Sequence, residues 1–429
     1  MDPRRALVLG SGGREHALAW ALGRSPSIQE VLVGPGNAGT AAGPRLRNVA
    51  VDPNDPEAVA ALAKREGVDL VVVGPEAPLC AGVVDTLEAA GIAAFGPRAG
   101  AARLEGSKAF MKTLAAEQAI PTAPFAILDD IAAAKDYIAS RPGPVVVKAD
   151  GLAGGKGAIV TSSREEAFAA AEQLLVEGAL GDAGRRLVIE DRLEGEELSV
   201  HVITDGERWM RLPVSRDHKR IGDGDRGPNT GGMGAFAPLA VDEALMARIE
   251  REVIEPTLRG LREAGHPYRG VLYAGLMVAP DGTPNLLEHN VRFGDPETQV
   301  LMSLLEGDVA GLCASAAQGE LDPSRAAVRD AHAVVVVLAA EGYPASPRRG
   351  DPIHGIAEAS KVEGVRVFHA GTRQEGPEVV TAGGRVLGVT AVADSPTRAR
   401  DQAYEAVARI SWAGMTYRRD IAVSAIPQT

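Results

Sequence analysis

Four short apolar runs near the N-terminus constrain this chain more than any other feature. They are Ala6–Leu9, Val31–Val33, Leu70–Val73 and Ile92–Phe95, each followed by a glycine: Gly10, Gly34, Gly74 and Gly96. Between them lie helical patterns. Ala17, Leu18, Ala21 and Leu22 recur at helical spacing, and Asp55-Pro56-Glu57 reads as N-cap, first-turn proline and first-turn acid. Such β–α alternation predicts a doubly wound parallel sheet. Ligands of open α/β sheets bind beyond the carboxyl ends of the strands, where glycine lets backbone approach closely. The same glycines also suit plain strand–helix turns, so both readings stay open at this point.

The rest of the chain divides by its turn signals. The expected boundaries are 1–103 for the N-terminal α/β domain, 104–330 for a central domain and 331–429 for a C-terminal α+β domain. Residues 101–120 read as helical. Within 124–192 a small β–α unit is expected from Pro144–Ala149, Ala158–Thr161, a helix opened by Ser162 or Ser163, and Leu187–Glu190. Glu196–Thr204 and Arg208–Val214 form a predicted hairpin at Asp205-Gly206. Ser215 to Ala235 is nearly devoid of aliphatic residues and reads as a long functional loop. A helix from about Asp242, bent or broken near Pro256, precedes a second hairpin of Val271–Val278 and Asn285–Val291. The last part offers a strand from Ala333, Val365–His369, a hairpin across Ala382-Gly383-Gly384 and a helix at Thr397–Ile410.

Composition excludes several classes. A net charge of −12 over 429 residues disfavours a broad nucleic-acid surface without excluding a local anion site. Cys80 and Cys313 cannot make a disulfide framework or a four-thiolate zinc site, and they suit a reducing compartment. The longest clean apolar run, Ala333 to Ala340, falls far short of the ~20 residues that cross a bilayer. The N-terminus passes directly into a strand pattern rather than a signal-peptide core. A cytoplasmic protein without nucleic-acid or membrane partners is the expectation. The 45 basic residues divide into 37 Arg and 8 Lys, so the position of each lysine carries information.

Four motifs carry chemistry. Gly10-Ser11-Gly12-Gly13-Arg14-Glu15 resembles a dinucleotide fingerprint, but Glu15 stands where the third glycine belongs, and Gly34-Pro35 stands where a ribose-binding acid would end the second strand. NAD chemistry is therefore disfavoured, while another phosphate at this helix start stays open. Lys148-Ala149-Asp150-Gly151-Leu152-Ala153-Gly154-Gly155-Lys156-Gly157 lacks the Ser or Thr of a Walker loop. It places flexible backbone and two ammonium groups between predicted strands, a pattern suited to polyphosphate, or else a plain surface hairpin. In Glu288-His289-Asn290-Val291-Arg292, strand alternation puts Glu288 and Asn290 on one face as hard oxygen ligands suited to Mg²⁺, and turns His289 toward the core. The alternative is a solvated strand face. Asp217-His218-Lys219-Arg220 and Gly227–Gly234 suit a segment that embraces substrate, or else a linker.

These residues resemble the ATP-grasp ligases, and more closely the glycinamide ribonucleotide synthetase family of phosphoribosylamine–glycine ligases. The resemblance spans the chain. It runs through Gly12–Ala17, Pro35–Thr40, Gly74–Leu79, Leu104–Phe110, Lys148–Gly157, Asp217–Arg220, Gly227–Gly234, Arg292–Gln299 and Phe368–Thr372. It implies an N-terminal α/β domain, a central ATP-grasp fold with a mobile lid at about 124–192, and a C-terminal domain. It also implies ATP-dependent joining of glycine to 5-phosphoribosylamine through a glycyl phosphate, in purine synthesis. By this resemblance Lys108, Lys148 and the loop Gly154, Gly155, Lys156 and Gly157 contact ATP phosphates. Glu190 and Leu193 lie at the adenine hinge, Glu197 reaches the ribose, and Glu288 and Asn290 hold Mg²⁺ or Mn²⁺.

Catalytic roles are expected for Arg292, Lys219 and Asp217. Substrate contacts are expected from Gly12, Gly13, Arg14, Asn37, Glu76 and Asp295, in a monomer. The chain departs from the family pattern at Asp191-Arg192, His289 and Gly154. The competing readings are another carboxylate–amine ligase or carboxylase of the superfamily, an NAD-dependent oxidoreductase, and a non-catalytic nucleotide-binding module.

Overall fold

A computed structural model of the chain describes residues 2–154 and 157–426. The N-terminal apolar runs become strands Arg5–Gly10, Glu30–Pro35, Leu70–Val73 and Ala93–Phe95 of an all-parallel sheet. A fifth strand, Leu46–Asn48, lies at the edge beside Glu30–Pro35. It carries no apolar run, so nothing in its sequence announced it. Both faces of the sheet are covered. Leu7 and Leu9 enter one hydrophobic core, while Ala6 and Val8 enter another.

The strand-end glycines have a local cause. Gly10 has φ of +119°, and a Cβ there would lie 2.6 Å from Glu15 Cγ. A Cβ on Gly74 would meet the same side chain and come within 2.6 Å of the Leu9 carbonyl oxygen. The buried Glu15 carboxylate accepts from the Gly12 N–H at 2.6 Å and from Arg14 Nε at 2.6 Å. The chain's own acid thus fills the glycine cradle that a dinucleotide reading would leave for phosphate.

Residues 125–191 form a four-stranded antiparallel sheet, ordered Phe125–Leu128, Leu187–Asp191, Val145–Ala149 and Ala158–Val160. Helices Ile131–Ser140 and Arg164–Leu175 pack on it, the second capped by Ser163. Ala134, Ile138, Val147, Ala167 and Ile189 give this unit a core of its own. The strand at Phe125 and the helix after it escaped the sequence reading.

A second antiparallel sheet follows: Trp209–Arg211, Glu196–Thr204, Gly270–Val278 and Pro284–Asn290. Its first hairpin turns as expected, but the return strand stops at Arg211. The helix after Asp242 runs from Glu243 to Glu263, with a π-helical segment Glu250–Ile254 just before Pro256. Pro256 has no N–H to give, and the helix widens ahead of it rather than breaking.

Two expectations need correction. Residues 215–235 are not a plain loop. Arg220–Gly222 and Arg226–Asn229 make a hairpin, while Arg216–Asp217 and Gly234–Ala237 pair with one another. Gly234–Ala237 also pairs with Val336 to Ala333 of the strand His332–Ala339. These two segments thereby complete a five-stranded sheet with His332–Ala339, Arg385–Ala393 and Val365–His369. The C-terminal sheet is therefore not built from the C-terminal residues alone. Nor does Ala382-Gly383-Gly384 turn a hairpin. Glu378–Thr381 pairs with Thr372–Glu375, and the chain then crosses Gly371 closely to enter the main sheet. A Cβ on Gly371 would lie 2.5 Å from the Gly383 Cα, so only glycine permits the crossing.

The units meet at residues 291–299. Arg292 pairs with Glu105 through Nη2 at 2.7 Å and with Glu76 through Nε at 3.3 Å. Glu105 also accepts from the Val291 N–H at 2.8 Å. Arg385 of the C-terminal sheet pairs with Asp295 at 2.9 Å. Burial pushes the Glu105 carboxyl up to about 7, against the pull of Arg292, with Glu76 adding to the rise.

Two outcomes follow from this packing. Gly74→Ala should destabilise the protein by about 1–3 kcal/mol. Gly143→Ala, where a Cβ meets nothing within 4 Å, should leave the thermal midpoint unchanged; equal midpoints for the two variants would contradict the packing account. Glu105 takes up its proton at higher pH in the folded state than unfolded, so its contribution is full below its ordinary value of 4.5 and lost as pH rises through about 7. The thermal advantage of wild type over Glu105→Gln should therefore shrink across that window, and a constant gap would exclude the shift.

Candidate active site

One cavity of about 1650 Å³ lies between the small sheet unit, the central sheet and the C-terminal sheet. Its walls follow from local structure. Ser107 caps the helix Lys108–Glu117, and Asp150, just past the strand Val145–Ala149, accepts from Ser107 Oγ at 2.8 Å and from the Ala109 N–H at 2.7 Å. This tie sets Lys108 and Lys148 in the same wall. Lys108 makes no ion pair among the described residues. Lys148 pairs with Glu190 and donates to the Leu287 carbonyl at 3.1 Å. A register shift opposite Gly275 and Leu276 leaves Leu287 unpaired, which accounts for its free carbonyl.

Gly154 and Gly157 line the cavity, and Gly154 has φ of +55° with open space where a Cβ would stand. Gly155 and Lys156 lie outside the described residues. Leu193 and Glu197 line the same wall, and Glu197 reaches Lys219 Nζ at 3.4 Å. Glu190 does more than mark a hinge. Its buried carboxylate sits between Lys148 and Lys112, whose Nζ lies 2.5 Å from Oε2. Burial opposes its ionisation, but Lys148 and Lys112 more than offset this and hold its carboxyl below the ordinary range. Lys112 is fully buried; it donates to Thr122 Oγ1 at 2.5 Å, and Thr122 in turn donates to the Leu286 carbonyl at 2.6 Å. Burial lowers Lys112 to about 8, with Lys148 contributing and Glu190 opposing.

Glu288 and Asn290 share a face of the strand Pro284–Asn290 and line the cavity. His289 turns inward as expected, its Nε2 3.0 Å from Thr257 Oγ1 and its Nδ1 3.3 Å from the Tyr273 carbonyl oxygen. Burial disfavours the charged form of Glu288. Lys219, Lys108, Lys148 and Arg292 overcome that and hold it down to about 2. No group of three or more His, Cys, Asp or Glu residues is arranged for a metal among the described residues. The strand Gly270–Val278 beside this pair carries no acid. One ionised carboxylate and one amide, neither of them hydrogen-bonded among the described residues, suit a hard cation that takes its remaining ligands from phosphate oxygens.

At the other end of the cavity stand Arg14, Glu76, Asp217, Arg292, Asp295 and Arg385. Arg14 Nη1 donates to the Phe293 carbonyl at 3.1 Å. The Asp295 carboxylate is engaged by Arg385 and by Gln299 Nε2 at 2.8 Å. Gly12 and Gly13 lie just behind this end, against Glu15 and Gln299. Asn37 does not reach the cavity. Its side chain caps the helix Ala38–Ala42 and donates to the Ser11 and His369 carbonyls at 2.9 and 2.8 Å, joining the N- and C-terminal units.

Sequence reasoning assigned no role to Glu105, Lys112, Glu297 or Arg385. Lys112 carried a usable signal, since it is one of only 8 lysines and lies one helical turn past Lys108. Glu105 and Arg385 pair across long sequence separations that no local pattern marks, and Glu297 makes no ion pair among the described residues.

Comparison with known proteins agrees with this geometry along the chain. Residues 4–105 match the phosphoribosylglycinamide synthetase N domain, 106–298 its ATP-grasp (A) domain and 333–424 its C domain. The chain is 48% identical over 423 residues to a phosphoribosylamine–glycine ligase of Vibrio parahaemolyticus, covering 98% of each. A crystal structure of the Thermotoga maritima phosphoribosylamine–glycine ligase superposes with a TM-score of 0.85 at 35% identity, covering 97% of this chain and 99% of that one. The biotin carboxylase domain of the Hydrogenobacter thermophilus 2-oxoglutarate carboxylase shares the fold, with a TM-score of 0.72 at 19% identity over 97% of this chain and 92% of that one. The chain belongs to the phosphoribosylglycinamide synthetase family.

Proposed function

We propose that this chain joins glycine to 5-phosphoribosylamine at the expense of ATP, giving glycinamide ribonucleotide, ADP and phosphate in purine biosynthesis. One observation carries the reading. A single cavity holds unneutralised cation and glycine backbone at one end, a lone ionised carboxylate–amide pair in the middle, and a dense set of paired charges at the other. That is an arrangement for transferring a phosphoryl group between bound reactants rather than for covalent catalysis. The free thiols are unsuited to a nucleophile's role. Burial pushes Cys313 up to about 12 and Cys80 up to about 11, and neither lines the cavity.

The glycine carboxylate is a poor electrophile. Its oxygen would attack the γ-phosphorus of ATP, ADP would leave, and the ribosylamine nitrogen would displace phosphate from the acyl carbon. Both steps demand positioning and charge neutralisation. Lys108 and Lys148 would hold the phosphates, with Gly154, Gly155, Lys156 and Gly157 covering them. Leu193 would meet the adenine, Glu197 the ribose, and Glu190 would keep Lys148 in place. Glu288 and Asn290 would hold a divalent metal, Mg²⁺ or Mn²⁺, which neutralises polyphosphate charge when bound. Arg292 would face the transferring group, braced by Glu76 and Glu105, with Lys219 beside it. Arg14, Asp295 and the strand-end loops at Gly12 and Gly13 would lie toward the phosphoribosyl group. The unit at 125–191, with its separate core, would close the cavity and keep water from the acyl phosphate.

A monomeric working unit and a cytoplasmic location belong to the same proposal. Both cysteines are free thiols, which suits a reducing compartment. No helix among the described residues is long and apolar enough to cross a membrane.

ADP and glycinamide ribonucleotide should form together, and only with glycine, phosphoribosylamine and ATP all present. Glu288→Gln should lower kcat by about 100-fold or more at fixed metal concentration. Product formed from a different acceptor but not from phosphoribosylamine would move the assignment to another carboxylate–amine ligase. A wild-type rate in Glu288→Gln would remove the metal role.

A further inference from the structure

Lys112 is a buried charge that the ligase reading leaves without a task. It is 0% exposed and sits on the helix Lys108–Glu117, one turn beyond Lys108. Lys108, Lys148 and Glu190 line the cavity, while Lys112 stands behind that wall. Its ammonium is held there from two sides. Nζ lies 2.5 Å from Glu190 Oε2 and donates to Thr122 Oγ1 at 2.5 Å, with the centre of the Phe125 ring 5.8 Å away. Thr122 is fixed in turn by donating to the Leu286 carbonyl at 2.6 Å. A ligand in the cavity meets Lys148 and Glu190, not Lys112.

Stability alone does not explain this group. Lys148 and Glu190 already pair with one another. A second ammonium withdrawn fully from water is costly, and an apolar side chain of similar length would fill the same space at less cost. What the second ammonium changes is the charge that the wall presents. Lys148 and Glu190 alone sum to zero, so a phosphate would meet a cation and a carboxylate together. With Lys112 behind Glu190, two ammonium groups share one carboxylate and a positive charge is left over. Burial lowers Lys112 to about 8, with Glu190 resisting the fall, so the ammonium persists at neutral pH. Buried charges are screened little by salt, and their influence reaches the cavity.

We propose that Lys112 is a positioning residue for nucleotide binding: it neutralises Glu190 from behind, so that Lys148 meets the phosphates as an uncompensated cation. The inference rests on the nucleotide-binding part of the reading above and adds a residue to it. Glu190 holds Lys148 in place but sets an acid beside polyphosphate. Lys112 offsets that acid without occupying the space of the ligand.

Calorimetric binding of MgADP to the whole protein tests this with Lys112→Met, Glu190→Gln and the double variant. Lys112→Met leaves the Glu190 carboxylate opposing the phosphates, and MgADP should bind about 10-fold or more weakly. Glu190→Gln keeps an acceptor for Lys148 while removing the acid, and the double variant removes both charges behind Lys148. Each of these two should bind MgADP within about threefold of wild type, because Lys148 again faces the phosphates uncompensated. Recovery of affinity by a second substitution is a result that a merely structural lysine would not give. The KM for glycine should stay within about twofold throughout. If Lys112→Met does not fold, the double variant, which leaves no unpaired charge in that place, decides alone: affinity near wild type supports the role, and a loss of about 10-fold or more overturns it. Wild-type affinity in Lys112→Met, or a double variant that binds no better than Lys112→Met, also overturns it. So does a glycine KM that rises in step with the loss of MgADP affinity, since that would mark general damage to the site. The ligase reading fails separately, if wild type binds MgADP yet makes no glycinamide ribonucleotide.

Discussion

The pairing of Arg292 with Glu76 and Glu105 is the contact on which the site depends. Arg292 follows the strand that carries Glu288 and Asn290, while its two partners belong to the helices Glu76–Cys80 and Ala99–Gly106. One guanidinium thereby fixes the end of the central sheet against those helices. The next few residues repeat the device, with Asp295 held by Arg385 from the C-terminal sheet. The cavity is the space enclosed where these units and the small sheet unit at 125–191 meet, and its geometry is set by charge pairs rather than by apolar packing alone. Guanidinium suits this duty because its planar fork engages two carboxylates at once.

Lysine does a different job. The chain uses Arg for nearly all its surface pairing and keeps a small number of lysines, several of them in or behind the cavity wall. Lys148 and Lys112 bracket Glu190, and Lys108 and Lys219 help keep Glu288 ionised. Compact ammonium groups can gather around a polyphosphate where the larger guanidinium would crowd it. An acidic protein can thus present a cationic pocket, and the net charge of −12 says little about the ligand.

Much of this was legible from local pattern. Asp55 and Ser163 cap their helices as their sequences announce, and the alternation through Glu288, His289 and Asn290 sorted two cavity groups from one core histidine. Local pattern failed where a residue's partner lies far along the chain. Residues 216–217 and 234–237 look like loop because they are short, pair with one another across a glycine-rich intervening segment, and depend on a strand near residue 334. The helix-opening acid Glu297 gave no hint that its carboxylate would have no ion pair among the described residues. Asn37 sits in a motif that reads as ligand-binding, yet its amide and carbonyl are spent on a helix cap and on His369. Glu105 lies 187 residues from Arg292, and only the folded chain shows that they meet.

The central claim is that the glycine carboxylate attacks ATP and passes through an acyl phosphate in this cavity. That order of bond making leaves one carboxylate oxygen on the phosphate that is finally released. Turnover of glycine labelled with ¹⁸O in its carboxylate, followed by mass analysis of the inorganic phosphate, reads this directly. The account predicts one labelled oxygen in each phosphate formed. Unlabelled phosphate, with glycinamide ribonucleotide still produced, would contradict it.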